Sequence, residues 1–207
     1  MTDRSVINPM VRPRKESPET RRESILSAAR ALLQEKGYGD IVLDDVARRA
    51  GIAKGTLYLH FKDKRDLVSA VMERLGEGLG ERLARVPAGG DAAHLRALFE
   101  AHLDFVEEHR DFLSRVLSED PLFSRKGMPL HASFIRHLDA LSGRLRGFVR
   151  SGLVRRHEPR LGAVFFMSLV RMGLAWKMLS GGRAPLKAQS AELAGLYLRG
   201  LGTGRLP

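Results

Sequence analysis

Leu43–Lys64 reads LDDVARRAGIAKGTLYLHFKDK, and this stretch decides the fold. Val46, Ala47 and Ala50 recur at helical spacing and form one apolar stripe. Gly51 ends that first helix, because glycine takes the left-handed conformation without a Cβ clash. Ile52 then folds back onto the stripe. A second helix over about Lys54–His60 carries Leu57 and Phe61 inward and leaves Lys54, Thr56, Tyr58 and His60 on its other faces. A helix, a sharp glycine turn and a helix with outward donors make a helix-turn-helix, a shape that lays its second helix in the DNA major groove.

The run AGIAKGTLYLHFKDKRDL resembles the signature of the TetR family of bacterial transcriptional regulators. Ala50, Gly51, Ile52, Gly55, Thr56, Leu57, Tyr58, Phe61 and Lys64 carry the resemblance, which spans about Thr20 to Leu75. Beyond it, only length and an all-helical pattern agree. The resemblance implies a homodimer that binds a palindromic double-stranded DNA operator and is released by a small, apolar effector. It implies that Thr56 and Tyr58 bind phosphate through their hydroxyls, that Lys64 grips phosphate at the start of the fourth helix, and that Lys54 and His60 lie nearest the groove. The sequence departs from the family where Val42 and Ala53 replace the usual Thr or Ser caps. Each missing cap costs about 0.5–2 kcal/mol. Asp44 and Asp45 offset the first through the helix dipole, roughly 0.3–1 kcal/mol each. A helical ligand- or protein-binding module whose head has lost specific DNA binding is the alternative these gaps keep open.

The 207 residues suffice for a small head and a larger body, and 43% hydrophobic content supports a core. The net charge of +11 suits a polyanionic partner. Residues 1–75 carry 15 basic and 11 acidic side chains, a net of +4, and residues 76–207 carry 20 and 13, a net of +7. The excess is therefore not concentrated in the DNA-reading part, and solubility explains it equally well. With no cysteine, disulfides and thiolate metal sites are excluded, which fits a reducing cytoplasm. The apolar run Leu161–Leu179 contains Arg171 and Lys177 and reads as a buried helix rather than a membrane span.

Residues 1–17 read as a mobile arm, 18–78 as the helix-turn-helix head, and 79–207 as a helical body for effector binding and dimerisation; the fold class is all-α. Helix 1 starts either at Thr20, with Glu23 completing a capping box, or at Ser17-Pro18, and Gly37 ends it. Asp63 caps helix 4. Gly76, Gly78 and Gly80 then make a soft joint or a frayed helix end. Pro87–Gly90 is a loop. Asp91 caps the next helix, Asp111–Leu117 continues the pattern, and Glu119–Pro129 is a loop. Helices follow over about Leu130–Val154, Arg160–Leu179 and Pro185–Leu201.

Leu161–Leu179 is apolar around most of its circumference, more than a one-sided helix needs, and Leu193, Leu196 and Leu198 continue the theme. By resemblance these last two helices pair with a second copy. Candidate pocket residues, again by family analogy, are Phe99, His102, Phe105, Phe134, His137, Phe165, Phe166 and Trp176, with His102 or His137 as an anchor for a carboxylate or hydroxyl. Core packing explains the same aromatic spacing. No metal or cofactor is expected and no catalytic constellation stands out: His94 and His102 lack metal-pair spacing, His131 and His137 fall on different faces, and no phosphate-cradling glycine loop exists.

Overall fold

The computed structural model describes residues 17–113 and 130–203. The expected arm, apart from Ser17, lies outside these residues, as do residues 114–117 and the loop Glu119–Pro129. Eight α-helices are described: α1 Pro18–Asp40, α2 Leu43–Arg49, α3 Lys54–His60, α4 Lys64–Ala84, α5 Ala92–Glu108, α6 Leu130–Arg150, α7 Pro159–Ser180 and α8 Ser190–Leu201. A 3-10 turn, Leu186–Gln189, precedes α8. Among the described residues the only β-type pairing is an isolated bridge between Val154 and Gly202.

Of the two starts open for helix 1, the chain uses Ser17-Pro18. The Ser17 hydroxyl accepts from the Thr20 N–H at 3.1 Å and Pro18 occupies the first helical position. Gly37 breaks the regular helix as expected: it is non-helical at φ 83° and ψ 179°, and a short helical turn beyond it runs on to Asp40. α1, α2, α3 and the first half of α4 enclose one core. Ile25, Leu33, Val46, Leu57, Phe61 and Leu67 are its inner residues. Fully burying each such side chain contributes about 1.5–3 kcal/mol.

The glycines at 76, 78 and 80 neither break nor fray α4, which runs unbroken to Ala84. Each costs about 1 kcal/mol against alanine. Leu79 and Leu83, interleaved with them, are buried in the body core, and that packing outweighs the local preference. α4 is thus shared by head and body. The body core gathers Leu95, Phe99, Leu141, Phe148, Phe166 and Tyr197 from α5 to α8. Glu107 on α5 pins its far side, accepting from Lys177 Nζ on α7 and from the Leu186 N–H, both at 2.6 Å.

Head and body also meet through the turn after α5. Residues 110–113 are helical, and Phe112 is buried in the head core rather than the body core. Arg30 of α1 reaches His109 Nδ1 at 3.0 Å. Because Arg30 donates, Nδ1 of His109 accepts, and burial together with the Arg30 charge lowers the His109 pKa.

α7 is long and apolar enough to cross a membrane by length and composition, with a mean hydropathy of 1.3. One face packs into the body through Ala163, Phe166, Val170 and Gly173. The opposite face is exposed, so the helix is not apolar for burial alone.

Candidate functional site

The turn between α2 and α3 is built as its residues dictate. Gly51 sits at φ 67°, where a side chain would be strained, and the Ile52 N–H donates to the Ala47 carbonyl at 3.0 Å, folding the chain back onto α2. Neither Val42 nor Ala53 caps its helix through a side chain. At α4 the situation is reversed. Asp63 accepts from the Asp66 N–H at 2.8 Å while Asp66 accepts from the Lys62 N–H at 3.0 Å, a reciprocal box that fixes the start of the helix.

α3 turns Leu57 inward and leaves Tyr58 46% and Leu59 86% exposed. Thr56 and His60 are half-buried and Lys54 is exposed. Lys54 Nζ lies 2.8 Å from Asp44 of α2; this hydrogen bond and charge raise its pKa. Lys64, at the start of α4 as expected, is also engaged within the chain. Its ammonium donates to the Gly39 carbonyl at 2.8 Å and sits 4.7 Å from the centre of the Tyr38 ring, so it ties α4 to the end of α1. Leu59 was not among the candidates. Its position two residues from Leu57 and two from Phe61 puts it on the outward face of a 3.6-residue helix, so the signal was present.

A second feature lies between α4, α5, α6 and α7: an apolar cavity of about 170 Å³. His102, Phe105, Phe134 and His137 line it, joined by Met72, Leu75 and Leu113 from the head side. The other candidates do not line it. Phe99 and Phe166 are fully buried, stacked with ring centres 3.9 Å apart, and so are spent on core packing. Phe165 stacks on Tyr197 at 5.4 Å, and Trp176 points outward, 63% exposed.

The geometry fixes the protonation of the two cavity histidines. His102 Nδ1 is 2.7 Å from the Leu98 carbonyl, which can only accept, so Nδ1 carries the proton. Neutral His102 then accepts at Nε2, and His137 donates from its Nε2 at 3.3 Å. Burial, then the neighbouring His137, pushes the His102 pKa down to about 3, and burial lowers that of His137. Both are neutral at pH 7, so the cation that lines this cavity is Arg171 of α7, not a histidine. His102 itself is enclosed and hydrogen-bonded at both nitrogens.

The exposed face of α7 carries Leu161, Val164, Met172, Trp176 and Leu179, the last 83% exposed. On α8 the expectation divides differently: Leu193 and Leu198 are buried within the chain, leaving Leu196 partly exposed. Among the described residues no group of three His, Asp or Glu side chains has the arrangement of a metal site.

Comparison with known proteins places these features. Residues 25–71 match the family described as bacterial regulatory proteins, tetR family. The HTH-type transcriptional regulator YxbF of Bacillus subtilis is 33% identical over 104 residues, covering 49% of this chain and 27% of that protein. The HTH-type transcriptional activator FasR of Mycolicibacterium smegmatis is 38% identical over 91 residues, covering 43% of this chain and 42% of FasR. The matches thus span less than half the length of these relatives. Over nearly the whole chain the fold is similar to that of the transcriptional regulator FadR from Bacillus subtilis, solved in complex with stearoyl-CoA. The TM-score there is 0.69 at 20% identity, covering 86% of this chain and 98% of that one.

Proposed function

Because the chain belongs to the TetR family of bacterial regulatory proteins, we propose that it acts as a cytoplasmic homodimer that represses transcription from a palindromic operator and is released by a small apolar effector. The observation that carries the reading is the outward face of α3, where Tyr58 and Leu59 stand exposed beside Thr56, Lys54 and His60. Tyr58 and Thr56 supply hydroxyls to phosphate. Leu59 supplies an apolar contact of the kind that reads a thymine methyl in the major groove. Lys54 exchanges Asp44 for phosphate on binding. Lys64 contributes by holding α4 against α1, and its remaining ammonium donors reach the backbone from there.

One seven-residue reading helix is too short for specificity alone, so two are used, about one DNA turn apart. The exposed apolar stripe on α7 supports pairing, since water-facing apolar patches of this kind mark interfaces. The cavity supports effector control. Its 170 Å³ is below the roughly 300–1,000 Å³ of an ordinary ligand pocket. An effector therefore has to push its walls apart, and three of those walls, Met72, Leu75 and Leu113, also pack against the head core. A ligand that binds the expanded state better shifts the heads, and by the same coupling DNA weakens the ligand. The stearoyl-CoA of the FadR structure makes long acyl chains the first class to try. FasR is a transcriptional activator, and activation is the second reading of the sign of control.

The test is fluorescence anisotropy on DNA from upstream of the protein's own gene, titrated with salt and with acyl-CoA. Sequence-dependent binding that the effector reverses supports the proposal. Binding of equal strength to unrelated DNA, erased by salt, refutes it.

A further inference from the structure

We propose that the end of the body away from the head holds a binding pocket for a small organic phosphate. The excess positive charge is not confined to the head. Six arginines fall between residues 144 and 160. Three have partners: Arg144 donates to the Val86 carbonyl, Arg155 to the Gly200 carbonyl, and Arg160 makes a two-pronged pair with Asp139. The other three, Arg146, Arg150 and Arg156, have no partner among the described residues, and all three line one pocket of about 470 Å³.

Arg146 and Arg150 are four apart on α6, an arrangement of like charges that disfavours the helix unless an anion sits between them. The carboxylates nearest in sequence are engaged elsewhere: Glu158 caps α7 through the Leu161 N–H at 2.6 Å, and Asp139 holds Arg160. Leu145, Val149 and Pro159 give the pocket an apolar wall. His157 closes one side; its Nδ1–H donates to the Arg155 carbonyl at 2.8 Å, and its ring lies over Gly162, where a Cβ would collide with it.

Chemistry and place together select the ligand. Guanidinium forks match phosphate oxygens two at a time, and three of them call for more than one negative charge. The apolar wall adds affinity for an organic portion. DNA held by α3 does not reach the site. α4 starts beside α3 and runs for 21 residues, about 30 Å at 1.5 Å per residue, its second half in the body. α6 runs alongside it in the same direction, with Arg136 beside Glu73 and Arg144 beside Val86, so Arg146, Arg150 and Arg156 lie at the far end. A concave pocket, rather than a flat basic strip, fits a small molecule.

The test is isothermal titration calorimetry on the full chain with pyrophosphate and ADP as probes at fixed ionic strength. ADP is expected to bind more tightly than pyrophosphate, and both more tightly than sulfate. Arg146→Gln and Arg150→Gln should each weaken ADP about tenfold, the size of one lost charge-assisted hydrogen bond. Arg150→Lys, which keeps charge and loses the fork, should fall between. Lys54→Ala in the head should leave ADP binding unchanged. Arg146 and Arg150 are not core residues, so circular dichroism should show the variants folded. The proposal is overturned if neither probe binds, if the glutamine variants bind as the parent does, or if only duplex DNA or an acidic polypeptide binds and ADP does not displace it.

Discussion

Acid should destabilise this protein through His102, by an amount the structure sets. The ring is fully enclosed and donates from Nδ1 to the Leu98 carbonyl, so the folded state holds it neutral, at a pKa of about 3 against 6.5 in the unfolded chain. A base depressed in the folded state contributes stability that is present above its unfolded pKa and lost as pH falls below it, because the unfolded chain takes up the proton first. The window therefore opens at about pH 6.5 and closes near pH 3. Two units above the folded value, at pH 5, the loss depends almost wholly on the unfolded pKa and amounts to about 2 kcal/mol for this one residue. His137, lowered by burial as well, adds in the same direction. The assay is urea unfolding of the parent and His102→Leu at pH 7 and pH 5, at a single protein concentration. Leucine is close in size and does not titrate. The parent should lose about 2 kcal/mol more than the variant between the two pH values. Equal losses would show that the ring already carries a proton in the folded state, or titrates freely, and the neutral-wall account of the cavity would fail with it.

Four further outcomes are expected. Tyr58→Phe should weaken binding to every operator alike, since it removes a phosphate donor, and Lys54→Ala should lower the salt slope by about one unit; unchanged slopes in a salt titration would take Lys54 out of the contact set. Trp176→Asp, on the exposed face of α7, should shift the protein from dimer to monomer in sedimentation while leaving helix content intact; a dimer that persists places the interface elsewhere. Gly51→Ala should cost about 1–2 kcal/mol in denaturant unfolding, because the residue sits at φ 67° with open space around it and the whole penalty is backbone strain. No loss would mean that the turn rearranges freely.

The sequence was most legible where one residue decides the local geometry. Gly51 and Asp63 announce a turn and a cap that the structure has, and the gaps at Val42 and Ala53 are real gaps. It was less legible where two local signals compete, as at the start of α1, where Ser17-Pro18 prevails over Thr20. Where tertiary contacts override propensity it was less so: a frayed end was one reading of the three glycines in α4, yet with Leu79 and Leu83 buried in the body core the helix continues to Ala84. Periodicity identifies an inward face without saying what that face meets. Phe99, Phe166, Leu193 and Leu198 are inward and meet their own chain, whereas His102, Phe105, Phe134 and His137, with the same spacing, line a cavity. Phe112 lies in the body sequence but in the head core, a long-range contact that no window of sequence displays. The contacts of Lys64 to Gly39 and Tyr38 were equally hidden, because the end of α1 comes within reach only after folding.

Hydroxyl-radical footprinting on the DNA upstream of the protein's own gene tests the central reading most directly. Two symmetric protected patches centred about one helical turn apart, both weakened by Tyr58→Phe, are the predicted result. A single patch, or uniform protection that fades with salt and ignores the substitution, would contradict it.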